Sequence, residues 1–348
     1  MQSFSYNSKL GVAVLAVAVA IAGCDTKPAV LPPSDEVTAR RQDHMSTYVT
    51  ISVAAPESPK VLAAIDAAFS EIKRLEALVS EWRPTSEISK VNDAAGRSAV
   101  KVSFELFGVI ETANEVARAS RGAFDITVAA FSGLWDFHSL KPELPTDAEV
   151  AKRLELIGYR RVRLDAKTYT VELEKRGMRI GLGGIAKGHA VDGASRVLEE
   201  HGFVNHLIVA GGDLYASGRK ASRKWNIGVR SPDGQGIYAT LEVENEGVAT
   251  SGNYERFFIH GGKRYHHILN PETGHPARGV SSATIIAKNA TLADAYATAV
   301  FVRGMRDGLA LAADRPGVEA LLFDDETFTA HATPAMDARL ERVEPGSF

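Results

Sequence analysis

The chain has 348 residues, 45% of them hydrophobic and 24% charged, which is ordinary globular usage and excludes a largely disordered or fibrous polypeptide. Its length suits one large domain or two lobes. Forty basic against 43 acidic side chains leave a net charge of -3 with no basic block, so electrostatic capture of nucleic acid is excluded.

The first segment reads as a targeting signal. Leu10 to Gly23 form an apolar run behind Lys9, too short to span ~30 Å of hydrocarbon as a helix but suited to a signal-peptide core. Ile21-Ala22-Gly23-Cys24 resembles a bacterial lipoprotein cleavage box, which predicts a signal peptide over 1–23 and a lipid anchor on Cys24. That is the chain's one cysteine, so a thiol nucleophile and an intramolecular disulfide are both excluded. Asp25 resembles the residue that retains enterobacterial lipoproteins at the inner membrane, so the expected location is the periplasmic face of that membrane. Pro28, Pro32 and Pro33, with no hydrophobic period, predict a tether over 24–44 and a folded domain over 45–348.

In chain order, Tyr48 to Val53 alternate as a strand, and apolar positions from Pro59 to Val79 recur at helical spacing. A second helix is predicted over Phe104 to Ser120, with Ser103 as its cap and Gly122 as its stop. A third starts at Thr146, where Thr146 and Glu149 have capping-box spacing, and ends near Gly158. A hairpin of Arg161 to Leu164 and Tyr169 to Leu173 follows. Arg179 to Gly183 is strand-like, Ala186 to His201 helical, and His206 to Ala210 an apolar strand. Turns around Asp233-Gly234, Gly247 and Gly261-Gly262 predict hairpins. One helix is expected over Leu292 to Ala313, then a hairpin turning at Asp324-Asp325. Hairpins interrupted by helices indicate an α+β fold, not repeated βαβ units.

Three segments carry chemistry. Gly181 to Gly188 joins a strand-like run to a helix, where backbone N–H groups attract phosphate and glycine permits close approach. Taken alone, it is equally a tight structural turn. It also matches the loose G-x-G-x-x-A dinucleotide pattern, although hairpins on both sides argue against a Rossmann unit. Asp294 and Thr298, four apart in a helix, point a carboxylate and a hydroxyl to one spot. Such hard oxygen donors suit Mg²⁺ or Ca²⁺, and an Asp near a helix start is also a natural cap. His266-His267 precede the turn Asn270-Pro271-Glu272-Thr273-Gly274, and one of the two could serve as a base near neutral pH. Adjacent strand histidines face opposite ways, so the other is expected to be solvated.

Together these pieces are similar to one family. Met45-Ser46-Thr47, Ser80-Glu81-Trp82, Ser86 to Ser89 with Asn92, Gly122 to Asp125 with Thr127, Gly183 to Gly188, Gly211-Gly212-Asp213, Thr250 to Tyr254, His267 to Gly274, and Asp294 to Thr298 resemble, in order, the ApbE family of FAD:protein FMN transferases. The resemblance implies a T-fold-like α+β domain that takes FAD as substrate with Mg²⁺. It implies metal binding by the Gly184 carbonyl and the side chains of Asp294 and Thr298. It further implies FAD contacts from Met45, Trp82, Ala123, Phe124, Asp125, Gly181, Lys187 and Ile268, with Trp82 stacking on the isoalloxazine. For Trp82 and Phe124 a plain core role stays open. Gly181 stands where Asp is usual, and Asn270 replaces the usual Asp of its turn. Both changes remove negative charge near the site.

The activity implied is transfer of FMN from FAD to a threonine or serine hydroxyl of a partner protein, releasing AMP, with His267 as candidate base. The expected partner is an acceptor flavoprotein subunit of a membrane-associated redox system. Hydrolysis of FAD to FMN and AMP, non-catalytic flavin binding and nicotinamide chemistry are the alternatives.

Overall fold

A computed structural model describes residues 33–343 apart from His138, Leu140, Lys141 and Gln235. The expected signal peptide and Cys24 lie outside the described residues. The central feature is an eight-stranded sheet with strands in the order Thr38–His44, Thr47–Val53, His206–Ala210, Asp213–Ser217, Glu246–Gly252, Ser282–Ala287, Glu319–Phe323 and Ala330–Ala332. Neighbours are antiparallel throughout. Sheet order follows chain order, so the sheet is one meander whose long connections carry the helices and three smaller sheets. The expected α+β class is borne out.

Three helices form where their sequence patterns placed them, because apolar positions at helical spacing coincide there with a side-chain cap. Pro59–Val79 starts at Ser58, whose hydroxyl accepts from the Val61 N–H, and buries Ile65, Phe69, Ile72 and Leu75. These pack with Val49 and Ile51 of the sheet and with Val191 and Leu198 of the Ala186–Glu200 helix. Ser103 caps Phe104–Ala119 through the Leu106 N–H, and Thr146 and Glu149 form the anticipated capping box on Asp147–Leu154. Ala290–Arg303 is buried on nearly every side, at Ala293, Ala295, Ala297, Ala299, Val300 and Phe301 among others. Its alanines let neighbouring elements approach closely, and burying Phe301 contributes roughly 2–3 kcal/mol.

Four expectations need correction. Thr38–His44 is not tether: it is an edge strand, paired from Thr38 opposite Val53 to His44 opposite Thr47. Its residues after Thr38 are mostly exposed, so an edge position left no apolar period to read. Arg179 to Gly183 forms no strand, because the Asn92 side chain and the Ile126 carbonyl take the backbone hydrogen bonds of Ile180 and Gly181. The helix expected over Leu292 to Ala313 is two, Ala290–Arg303 and Met305–Ala313, broken at Gly304, where φ is 79°. Finally, the turn before Gly247 does not close a hairpin. Ile237–Val243 and Glu246–Gly252 join different sheets, and Asn245, at φ 56°, passes the chain from one to the other.

Candidate active site

The glycine-rich segment is clamped before it turns. Asn92 donates from Nδ2 to the Ile180 carbonyl at 2.9 Å and accepts from the Ile180 N–H at 2.7 Å. The Gly181 N–H then donates to the Ile126 carbonyl at 2.9 Å. Beyond this point Gly184 is tightly packed and Gly188 is required by space. A Cβ on Gly184 would stand 3.1 Å from both the Phe124 ring and Thr298 Oγ1, and one on Gly188 would stand 2.2 Å from the Ala290 carbonyl oxygen. The close crossing of Ala186–Glu200 over Ala290–Arg303 therefore depends on Gly188, and it brings the start of one helix to the Asp294 face of the other.

No side chain of residue 185 caps Ala186–Glu200. Instead Asp294 Oδ2 accepts from the Gly188 N–H at 3.1 Å, so a carboxylate already sits at a helix start that favours anions. Asp294 is not the cap of its own helix. Asn289 accepts from the Leu292 N–H, and Asp192 accepts from the Ala290 and Thr291 N–H groups. Lys187 Nζ lies 2.7 Å from Asp213 Oδ2 and 3.7 Å from Asp294 Oδ1. The two carboxylate side chains are 3% and 4% exposed, whereas the lysine retains 30%, so the open edge of the cluster belongs to the cation. Burial opposes the charge on Lys187, but Asp213 and Asp294 outweigh it and hold the ammonium protonated beyond the usual lysine range. Burial pushes both carboxyls up, and Lys187 pulls both back.

One turn beyond Asp294, Thr298 places Oγ1 beside Gly184 and 3.5 Å from Ser251 Oγ. The Gly184 backbone, Thr298 and Asp294 thus gather oxygen donors at the end of the glycine segment. Among the described residues no group of three or more His, Cys, Asp or Glu could hold a metal by itself. This donor set fits a small hard cation that takes few protein ligands and completes its shell with water or phosphate oxygens.

The ApbE family model matches residues 45–322. The chain belongs to the ApbE family. It is 36% identical over 291 residues to the FAD:protein FMN transferase of Treponema pallidum, covering 78% of this chain and 80% of that one. It is 33% identical to one from Klebsiella pneumoniae over 73% of this chain and 79% of the other. Among solved structures, an ApbE protein of Thermotoga maritima superposes with a TM-score of 0.81 at 34% identity, covering 88% of this chain and all of that one. The flavin transferase ApbE of Vibrio cholerae gives 0.77 at 25% identity, over 88% and 99%.

Within this ApbE fold the candidate residues separate. Lys187, Gly184, Asp294 and Thr298 come together. Phe124 is 3% exposed with its ring packed against Gly184, whereas Ala123, 5% exposed, and Ile268 are buried in the main core. Both Asp125 oxygens already have protein partners. It accepts from the Thr127 N–H and hydroxyl at 2.8 and 2.6 Å and from the Tyr159 N–H at 2.7 Å, so it caps the Ile126–Phe131 turn and ties it to the Tyr159–Arg161 turn. Met45 sits in the two-residue turn between the first strands at φ 52°, followed by Ser46 at 60°. Such left-handed pairs normally take Asn or Gly, so this turn is strained. Trp82 is 78% exposed. A core role is thereby excluded, and its ring faces are open.

The two histidines divide differently from expectation. His266 is buried, not solvated. Its Nε2 lies 2.8 Å from the Ala277 carbonyl, and its Nδ1 takes the Ile268 N–H, which makes it a rivet of the turn. His267 places Nδ1 3.3 Å from the Arg256 carbonyl. That contact assigns the proton to Nδ1 and leaves Nε2 with a lone pair. Burial, and then the charge of Arg256, push its pKa down to about 4 against the pull of the Arg256 carbonyl, so the ring is neutral at physiological pH. Asn270 lacks the charge of an aspartate but keeps its turn in shape, because Oδ1 accepts from the Glu272 N–H at 2.8 Å, as an aspartate there would.

Several residues of the site were not singled out from sequence. Asp213 lay within a recognised motif, but only burial beside Lys187 reveals its part. Asn92 and Asp192 act through backbone groups distant in sequence. Glu81 also lay within a quoted motif, but only the fold reveals that its carboxylate stands beside Gly181.

Proposed function

We propose that this protein transfers the FMN half of FAD to a threonine or serine hydroxyl of a partner protein and releases AMP. The observation that carries this reading is the convergence of the glycine-rich helix start, Lys187, Asp294 and Thr298 at one point in a chain of this family. The acceptor oxygen forms a bond to the FMN phosphorus, the bridging P–O bond to AMP breaks, and the hydroxyl proton passes to a base. His267 is suited to receive it, since Nε2 is unprotonated and the Nδ1 contact fixes the tautomer. Lys187 supplies a permanent positive charge beside the helix start, where the pyrophosphate binds through backbone N–H groups. The Gly184 carbonyl, Asp294 and Thr298 would hold Mg²⁺. When bound, the ion would neutralise pyrophosphate charge.

We further infer that the mature protein begins at an acylated Cys24 on the periplasmic face of the inner membrane and serves a membrane-associated redox flavoprotein subunit. The apolar run before Cys24 supports this. The direct test incubates purified protein with FAD, Mg²⁺ and an acceptor domain from a relative's substrate. Covalent flavin on the acceptor, seen as in-gel fluorescence and a matching mass increase, is the expected result. FMN and AMP formed with unmodified acceptor would replace transfer by hydrolysis. FAD binding with no product would leave a flavin-binding protein.

A further inference from the structure

Glu81 is a carboxylate without a hydrogen-bond donor at the mouth of the glycine-rich segment. A Cβ built on Gly181 would stand 2.8 and 2.9 Å from its two carboxylate oxygens, so the Glu81 carboxylate occupies the space into which a side chain at 181 would grow. Two contacts hold this arrangement. Ser89 Oγ donates to the Glu81 carbonyl at 3.4 Å, and Asn92 of the same Glu87–Asp93 helix clamps Ile180, the residue before Gly181. The motif Ser86 to Asn92 is thus a brace that fixes Glu81 against the loop. The carboxylate itself receives no hydrogen bond from the described residues, and burial of this half-buried residue raises its pKa with only Arg179 to oppose it. A half-buried acid with open acceptor positions is costly unless something donates to it.

We propose that Glu81 is a specificity-determining residue that accepts a hydrogen bond from an N–H or O–H group of FAD next to the pyrophosphate. This rests on the proposed function, in which the glycine segment takes the dinucleotide. A carboxylate repels phosphate, so its partner is a neutral donor, on either the adenylate or the flavin half. A side chain at 181 would push the acid aside and would also meet the Ala129 Cβ at 2.9 Å.

The test measures dissociation constants for FAD, ADP and FMN, and melting temperature, in the full-length protein and three variants. Glu81→Ala is expected to weaken FAD about tenfold or more, the usual size for a hydrogen bond to a charged group, with the loss confined to ADP or to FMN, whichever half carries the donor. Glu81→Gln, which preserves volume, should lose several-fold with the same selectivity. Gly181→Ala should lose affinity likewise with Glu81 intact. FAD affinity within twofold of the wild type in Glu81→Gln and Gly181→Ala overturns the proposal, as does equal weakening for both halves, the mark of a merely structural brace. Failure of the wild-type protein to bind FAD would instead sink the transferase reading, which separates the two.

Discussion

Asp294 illustrates how one side chain can serve several partners. It accepts from the Gly188 N–H, faces Lys187 and shares a helix face with Thr298. Since Asn289 and Asp192 do the capping of its helix, removing its charge should not unwind that element. Asp294→Asn retains the shape and one acceptor, so it should fold with a melting temperature within a few degrees of the wild type and lose Mg²⁺-dependent transfer by two orders of magnitude or more. Turnover and melting curves on one preparation check this. Full activity at any Mg²⁺ concentration would remove Asp294 from the metal site. His267→Ala should lower turnover with little effect on FAD affinity, because the imidazole's proposed contact is with the acceptor's proton. With the ring held neutral down to about pH 4, its protonation should depress the rate only below about pH 5. A limb near pH 6.5 would mean a solvated imidazole.

At the scale of elements, the decisive contact is the crossing of Ala186–Glu200 over Ala290–Arg303. It is closest at Gly188, where a methyl group would overlap the Ala290 carbonyl. A backbone carbonyl in a buried helix cannot move aside as a side chain can. Gly188→Ala is therefore expected to cost about 3 kcal/mol, the upper end for inserting one carbon into a packed core, and to separate Lys187 from Asp294. The midpoint of urea unfolding reads the first effect and FAD affinity the second. A stable variant with normal binding would show that the two helices can part without disturbing the site. The glycine-rich segment does begin a helix, as its sequence suggested, and its last glycine, Gly188, serves helix packing.

For the whole molecule, two buried histidines tie stability to pH. His206 sits between Ser195 and the Phe203 carbonyl, and His266 between the Ala277 carbonyl and the Ile268 N–H. Burial is the main cause that lowers each to about 4. Their folded values lie below the unfolded value of ~6.5, so the native state binds fewer protons in that interval. Their stabilising contribution is present above about pH 6.5 and lost as pH falls through 4, by roughly 3 kcal/mol for each at most. Urea midpoints should therefore hold steady from pH 8 to 7 and fall between pH 6 and 4, and His206→Asn should shallow that fall. An unchanged slope in the variant would place the effect elsewhere. At the other end of the chain, the edge strand from Thr38 shortens the expected tether. From Cys24 to Thr38 the backbone can span at most roughly 50 Å at ~3.5 Å per residue, which bounds how far an acylated protein could stand from its membrane. Cys24→Ser should abolish membrane fractionation while FAD turnover of the soluble form is unchanged. Membrane association that persisted would refute the anchor.

What could be read before any coordinates were those features that depend on neighbours in the chain. Ser103 and the Thr146–Glu149 box cap their helices because capping spans three residues, and Asp294 and Thr298 share a face because four residues make about one helical turn. The α+β class and the ordered motifs of the family followed from the same local patterns. The tertiary structure decided whatever depends on pairs far apart in sequence. Asp125, a local cap through the Thr127 N–H, became a long-range tie because Tyr159 also donates to it. His266 became a rivet because Ala277 and Phe301 enclose it. Thr38–His44 became a strand only because Thr47–Val53 offers an edge. Burial and long-range backbone partners set the charge and availability of a side chain, and neither is a property of the residues beside it.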